Sequence, residues 1–322
     1  MKKLLIVLVL SVAMVSCYKD YIKDFDYDGI YFPYQTDVRT LVVGEGMKIE
    51  VGAALGGVRV NNRDRIVAFS IDNSLVTPAI LTVMSSGAQY IKDALVGVTA
   101  LSPIPTNYYT LSDPSKIVIK SGQHMGSIVL KVDSAKFLSD SKSLFANYVL
   151  PLTITSADAD TVLPLKKYAV IGLKYENMLF GNYWHGGVTT YKDATGTTIT
   201  IPYYTAVNQP ENKVWKLKTV GPNQLVANGY SDQTTAKEEM LLTLEGTNIT
   251  VSTRTGSTFP VTASGTSTFN RAKLLQNRKI LLNYSYVNAA GFTCTAKDTL
   301  TFRNRVRDGV NEWQDENPNN YK

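Results

Sequence analysis

The residues best equipped for chemistry lie late in the chain. Arg303, Arg305 and Arg307 alternate in Phe302-Arg303-Asn304-Arg305-Val306-Arg307-Asp308-Gly309. Alternate residues of an extended strand share a face, so this spacing predicts one row of guanidinium groups. Such a row has two readings. It can form structural salt bridges with Asp308, Glu312 or Asp315, or it can present planar forks to acidic sugars and other carboxylates. Aromatic side chains supply a second chemistry. A pyranose ring offers an apolar C–H face to an indole or phenol, while Asn, Asp and Arg bond its hydroxyls. The candidates are Trp184, Trp215, Trp313 and the adjacent pair Tyr203 and Tyr204. Neighbours on a strand face opposite ways, so one of the two tyrosines is expected outside. The competing reading for each ring is core packing, since such side chains bury about 150–250 Å². Trp313, beyond the last strand-like run and among polar residues, is expected to be exposed, or else to fold back and cap a barrel end.

No catalytic apparatus is legible. The two histidines are His124 and His185. No His/Cys/Asp group has zinc-ligand spacing. Nucleophile elbows, phosphate loops and Walker patterns are missing from the sequence. His185, in Trp184-His185-Gly186-Gly187, reads as a surface group near a strand end rather than as a base. A glycosidase needs two carboxylates flanking the sugar bond, and no pair stands out among the 27 acidic residues. Asp158 and Asp160 alternate as calcium ligands do, but they lack the companion glycine and glutamate, so a solvated loop is expected. The expectation is a non-enzyme with no metal and no cofactor.

These side chains must be positioned by strands. Tyrosine and threonine are frequent, and short alternating runs are bounded by turn formers, which points to an all-β protein. The runs 29–32, 38–43, 47–53, 66–71, 116–120, 126–132, 148–155 and 168–174 suggest an immunoglobulin-like β-sandwich without a disulfide. In one of them Ile128, Leu130 and Val132 fall on one face. The stretch 133–144 has room for a helical turn. A second series follows at 183–191, 198–206, 213–220, 224–230, 239–244, 248–253, 259–269, 279–287 and 292–303. So many consecutive antiparallel strands favour a closed barrel, with a sandwich as the alternative. The division expected is leader 1–16, tether 17–28, sandwich 29–175 and barrel-like domain 176–322. The chain has 322 residues and a formal charge of +6, with scattered basic residues, so no nucleic-acid partner is implied. Of the two cysteines, Cys294 reads as a small buried hydrophobe.

Three resemblances add to this reading. Lys2 and Lys3, the apolar run from Leu4 to Val15, and Met14-Val15-Ser16-Cys17 have the layout of a signal peptide. They resemble a bacterial lipobox, with Met14 where leucine is usual. The resemblance implies acylation of Cys17 and anchoring in outer-membrane lipid, and Lys19-Asp20 resembles the signals that send Bacteroidota lipoproteins to the cell exterior. Gly181-Asn182-Tyr183-Trp184 is similar to the opening of lipocalin-like barrels, in which a late arginine, here Arg303 or Arg305, packs over the tryptophan. Tyr148-Val149-Leu150-Pro151-Leu152-Thr153-Ile154 with its preceding strands, and the stretch Asp298 to Trp313, resemble two uncharacterised domain families of Bacteroidota surface lipoproteins. Those families accompany glycan-uptake loci of the starch-utilisation type. The resemblance implies an oligosaccharide or glycoprotein as partner, with the uptake porin and its tethered receptor as further partners. It implies no catalytic residue. The alternatives are an adhesion or structural lipoprotein that meets a protein, and then a glycoside hydrolase.

Overall fold

In the computed structural model, residues 27–203, 212–237, 239–257 and 260–314 are described. The leader, Cys17, Tyr204 and Asp315 lie outside the described residues. The chain is all-β, as expected, with two cores.

The first core lies between two sheets. One runs in the order Thr161–Val162, Gly29–Tyr31, Lys48–Gly56, Met125–Val132, Tyr109–Leu111. The other runs Thr36–Val42, Tyr168–Glu176, Tyr148–Ala157, Arg65–Ile71, Lys116–Ile119, with Ser102–Pro103 beside Tyr148–Ala157. This reproduces the A-B-E-D and C-F-G neighbours of immunoglobulin-like sandwiches. Period 2 is obeyed: Ile128, Leu130 and Val132 are at most 3% exposed and face Val67, Leu150 and Leu152 in one cluster. The helical turn expected after Val132 is the helix Ser134–Ser139, begun by Asp133 accepting a bond from the Lys136 amide. Two helices were not anticipated, Pro78–Ser85 and Gln89–Ala94. Thr77 caps the first and Pro78 opens it, a start signal that the sequence carried. Their Met84 and Ile91 pack on Val38 and Val170 as a small outer core.

The second core is the inside of a barrel. Among the described residues its wall runs Gly181–Lys192, Lys213–Gly221, Gln224–Ala227, Met240–Glu245, Asn248–Thr253, then Val261–Ala263 with Ser267–Phe269, Lys279–Val287 and Thr293–Arg307. The ring closes because Gly181–Lys192 pairs with both ends: Tyr183 faces Trp215 on one edge and Phe302 on the other. Closure decides for barrel over sandwich. An interior of this size is filled by side chains, here Tyr183, Trp215, Leu242, Ile280, Leu282, Leu300 and others. Cys294 is buried, as expected, and unpaired. Past Arg307 the strand turns back into Val310–Glu312 through Asp308 (φ 52) and Gly309 (φ 78), the positive-φ pair of a two-residue hairpin.

The two bodies are latched together. Val42, from the sandwich, belongs to the barrel core. Next to it, Gly44 and Gly46, both at φ 84, fold the chain tightly around Glu45. Glu45 Oε1 accepts from Arg278 (2.8 Å) and Arg305 (2.9 Å), and Oε2 accepts from Arg305 (2.9 Å). Both arginines come from the barrel and are 1% exposed. Asn177, on the connecting segment, donates to Pro222 O (2.7 Å), and its amide donates to Thr219 (2.9 Å). Thr40 N donates to Asp308 Oδ1 (2.9 Å).

Candidate binding cleft

The arginine row splits at a β-bulge. Tyr183 pairs with Phe302, but Asn182 pairs with Asn304, so Arg303 is an extra residue in its strand. The bulge reverses the alternation beyond it. Arg303 stays outside, with its guanidinium 4.7 Å from the Trp184 ring centre, which is the expected arginine-over-tryptophan contact. Arg305 turns inward to Glu45 and also donates to Glu312 (2.5 Å). It is therefore an internal ion-pair residue and not an exposed fork. Arg307 meets Glu312 at 2.5 Å. Glu312 was an expected partner, and Glu45 was not, because 260 residues separate it from Arg305. Trp184 is half-buried beneath Arg303, so its guanidinium-covered face is not open to a sugar.

Beside the bulge a polar ladder crosses the outer barrel wall. Asn304 Nδ2 donates to Asn311 Oδ1 (2.6 Å), and Asn182 Nδ2 donates to Asn304 Oδ1 (3.2 Å). Asn182 pairs with Lys216, whose amide donates to Asn228 Oδ1 (2.5 Å). Asn182 and Lys216 also line a cleft of about 580 Å³ between barrel and sandwich. The sandwich contributes Tyr90, Val96, Phe145 and Lys174, and the barrel adds Lys218, Arg254 and Val306. Val96 (62%), Val306 (55%) and Phe145 (37%) leave apolar surface exposed there. This volume suits a ligand of several rings, and a domain seam is a common place for one.

The acids of the cleft are engaged. Glu176 Oε1 is 2.6 Å from Lys174 Nζ, and Asp93 accepts from Gln89 (2.9 Å). Burial pushes the Asp308 carboxyl up to about 6, helped by nearby Asp37 and opposed by Thr40 N–H, Arg39 and Arg307. Tyr90 donates to Asp37 Oδ1 (2.6 Å), and burial and that carboxylate raise its phenol. A second hollow of about 550 Å³, lined by Gly44, Met178, Arg271 and Lys273 among others, has a single aromatic, Phe269, which is buried.

Three expected site residues lie elsewhere. Trp215 is fully buried in the barrel because it faces Tyr183 across an inward-pointing register. Tyr203 is 9% exposed and points inward, so it offers no surface platform. Trp313 is 58% exposed, as expected, just after the terminal hairpin. His185, expected at the surface, is 2% exposed, since it follows Tyr183 by two and shares its inward face. Its ring stacks on Trp215 (3.9 Å between centres, 9°) and lies 5.4 Å from Tyr203.

These rings surround a buried carboxylate. Asp298 accepts from Tyr203 (2.5 Å) and Tyr284 (2.6 Å), and His185 Nε2 lies 3.4 Å away without hydrogen-bond geometry. Burial and the Asp298 charge raise both phenols. The Ser231 hydroxyl pairs with Thr189 (2.8 Å) rather than with His185. The cluster is an internal polar layer of the barrel. A signal for it existed: Asp298 occupies a position on the apolar face of Cys294, Ala296, Leu300 and Phe302. Asp158 and Asp160 are held by backbone amides, Asp158 accepting from Ile66 N (3.0 Å) and Asp160 from Asp28 N (2.8 Å). No metal-binding group occurs among the described residues.

A family model described as "-like, N-terminal domain" matches residues 25–161, less than half of the chain. No curated protein matches. A solved structure from Bacteroides ovatus, described as of unknown function, is 21% identical with a TM-score of 0.65, covering 90% of this chain and 98% of its own. A multidomain protein including DUF1735, also from Bacteroides ovatus, is 12% identical with a TM-score of 0.43, covering 88% and 97%. At these identities the first likeness speaks to fold alone. It shows that the sandwich-plus-barrel arrangement recurs over nearly the whole length of a Bacteroides protein.

Proposed function

We propose that this chain is a lipid-anchored surface protein that holds an oligosaccharide, without cleaving it, in the cleft between its two domains. The observation that carries the reading is the cleft of about 580 Å³, lined by Asn182 at the end of an amide ladder and by the exposed apolar side chains of Val96, Phe145 and Val306. Amides bond sugar hydroxyls as both donor and acceptor, and Phe145 and Val306 offer apolar surface to C–H faces. The lipobox supports acylation at Cys17, and two or three acyl chains hold a protein firmly to a membrane. The sandwich then acts as spacer and as one wall of the site. The resemblance to glycan-uptake lipoproteins supports the uptake porin and its tethered receptor as neighbours.

The test is a glycan panel against the chain from Tyr18 onward, with reducing-end release followed in the same samples. Binding without release is the expected result, weakened by Asn182→Ala. Release of reducing ends would replace capture with hydrolysis, and a folded chain that binds no glycan would sink the reading. A second reading rests on Val306, Val310 (61% exposed) and Trp313 (58% exposed), which the terminal hairpin leaves uncovered. They suit a protein partner, and retention of a partner from intact cells, lost in Trp313→Ala and without sugar affinity, would favour it.

A further inference from the structure

The charges around the cleft are unequal in how they are used. Its acids are committed: Glu176 to Lys174, Asp93 to Gln89, and Asp308 to Thr40 N. Its barrel wall carries Lys216, Lys218 and Arg254. Lys216 is exposed and sits within the asparagine ladder, paired with Asn182. Arg303, next to Asn304 of the same ladder, is exposed and stacked on Trp184. Among the described residues, the side chains of Lys216, Arg254 and Arg303 have no carboxylate partner. By contrast, Arg305, Arg307, Arg278 and Arg65 all have one.

Cations that serve only the fold can be spread anywhere on the surface. Here Lys216 and Arg254 line one hollow, and Arg303 lies on the outer wall beside the asparagine ladder that reaches it. Of the hollow's acids, Glu176 is paired with Lys174, Asp93 accepts from Gln89 and Asp308 bonds the Thr40 amide. A neutral oligosaccharide needs donors and acceptors in balance, which the amides alone provide. Cations add donors without acceptors and a positive field, so they discriminate for a ligand that carries negative charge. Arg303 is also exposed beside the ladder, with its guanidinium 4.7 Å from the Trp184 ring centre.

We propose that the cleft selects an acidic saccharide, one bearing uronate or sulfate groups, with Lys216 and Arg254 meeting anions and Asn182 meeting hydroxyls inside it, and Arg303 and Asn304 meeting the part of a longer ligand that runs out along the barrel wall. The inference rests on the glycan-capture reading and names the ligand class for that same site.

The experiment compares size-matched probes on the full chain in detergent: oligogalacturonate and a heparin-derived hexasaccharide against maltohexaose and cellohexaose. The acidic probes are expected to bind at least about tenfold tighter. That gap should shrink as salt rises from about 50 mM to about 0.5 M, over which the screening length falls several-fold. Lys216→Ala with Arg254→Ala should lower acidic-probe affinity by about tenfold, and Arg303→Ala should do so more modestly. All three positions are outside the cores, and an unchanged urea midpoint for the variants would show that folding is intact. Equal affinity for neutral and acidic probes, or affinity unmoved by Lys216→Glu, would overturn the acidic-ligand inference and leave glycan capture standing. Failure of all four probes to bind would overturn both.

Discussion

Truncating Glu45 tests the joint between the two domains. Glu45 is 9% exposed, and its carboxylate answers two arginines that are 1% exposed. Glu45→Ala would leave both guanidinium groups buried with less compensation. Breaking a buried pair from one side generally costs about 3–5 kcal/mol. Here the lower end is expected, because Arg305 keeps Glu312 at 2.5 Å and Arg278 keeps Met178 O at 2.5 Å. About 3 kcal/mol corresponds to a urea midpoint lower by roughly 1–1.5 M for a slope of about 2–3 kcal/mol/M. Trp184, Trp215 and Trp313 all lie on the barrel side, so tryptophan fluorescence should show the loss although the substitution lies in the sandwich. A loss below about 1 kcal/mol, or one absent from the tryptophan signal, would refute the idea that Glu45 anchors the barrel base.

The pH dependence gives a second arm to the same test. Burial pushes the Glu45 carboxyl up, but bonds and charge from Arg305 and Arg278 outweigh it and hold the group below its ordinary value of 4.5. A carboxyl lowered in the folded state stabilises fully above that ordinary value, and the contribution is lost as pH falls through the folded one. Glu45→Gln should therefore flatten the acid limb of the stability profile while costing less than Glu45→Ala at neutral pH.

Asp308 should behave in the opposite sense. Its folded value, about 6, lies above the ordinary 3.8, so its contribution is complete below 3.8 and is lost as pH rises through 6. Asp308→Asn should accordingly gain up to about 3 kcal/mol on the parent above pH 7, read from urea midpoints, and nothing near pH 4. Gly229→Ala would set a Cβ 2.3 Å from Trp215 Nε1, and overpacking of that kind costs about 1–3 kcal/mol, visible as a shifted Trp215 emission. Tyr284→Phe removes the hydroxyl that serves Asp298 and the Ser231 amide, and should cost about 1–3 kcal/mol in a urea titration without altering glycan binding.

Strands were readable because period 2 acts locally. The alternating runs 126–132, 248–253 and 279–287 fall on Met125–Val132, Asn248–Thr253 and Lys279–Val287. The helix Pro78–Ser85 escaped because it is short and its apolar residues face both a small core and solvent, which blurs a 3.6-residue period. The burial of Trp215 depended on ring closure, which turns one face of every strand into an interior, and no local pattern reports closure. The arginine row failed for a different reason. Alternation was read correctly up to Arg303, but one extra residue in a strand moves everything beyond it to the other face. Glu45 stayed hidden because its partners lie 233 and 260 residues away.

What the barrel does with its interior constrains where it can recognise anything. Trp215, Tyr183, Tyr284 and the His185–Asp298 layer occupy the space that a lipocalin-like ligand would need, and the Glu45 latch fills the end facing the sandwich. Recognition is thereby pushed to the outer wall and the seam. The seam is suited to it because Glu45, Asn177 and the Thr40–Asp308 bond fix the two walls relative to each other. A cleft held by such bonds loses little freedom when a ligand enters, so more of the contact energy remains as affinity. The bulge at Arg303 serves both sides of this arrangement. It sends Arg305 inward to tie the domains together and leaves Arg303 outside beside the asparagine ladder.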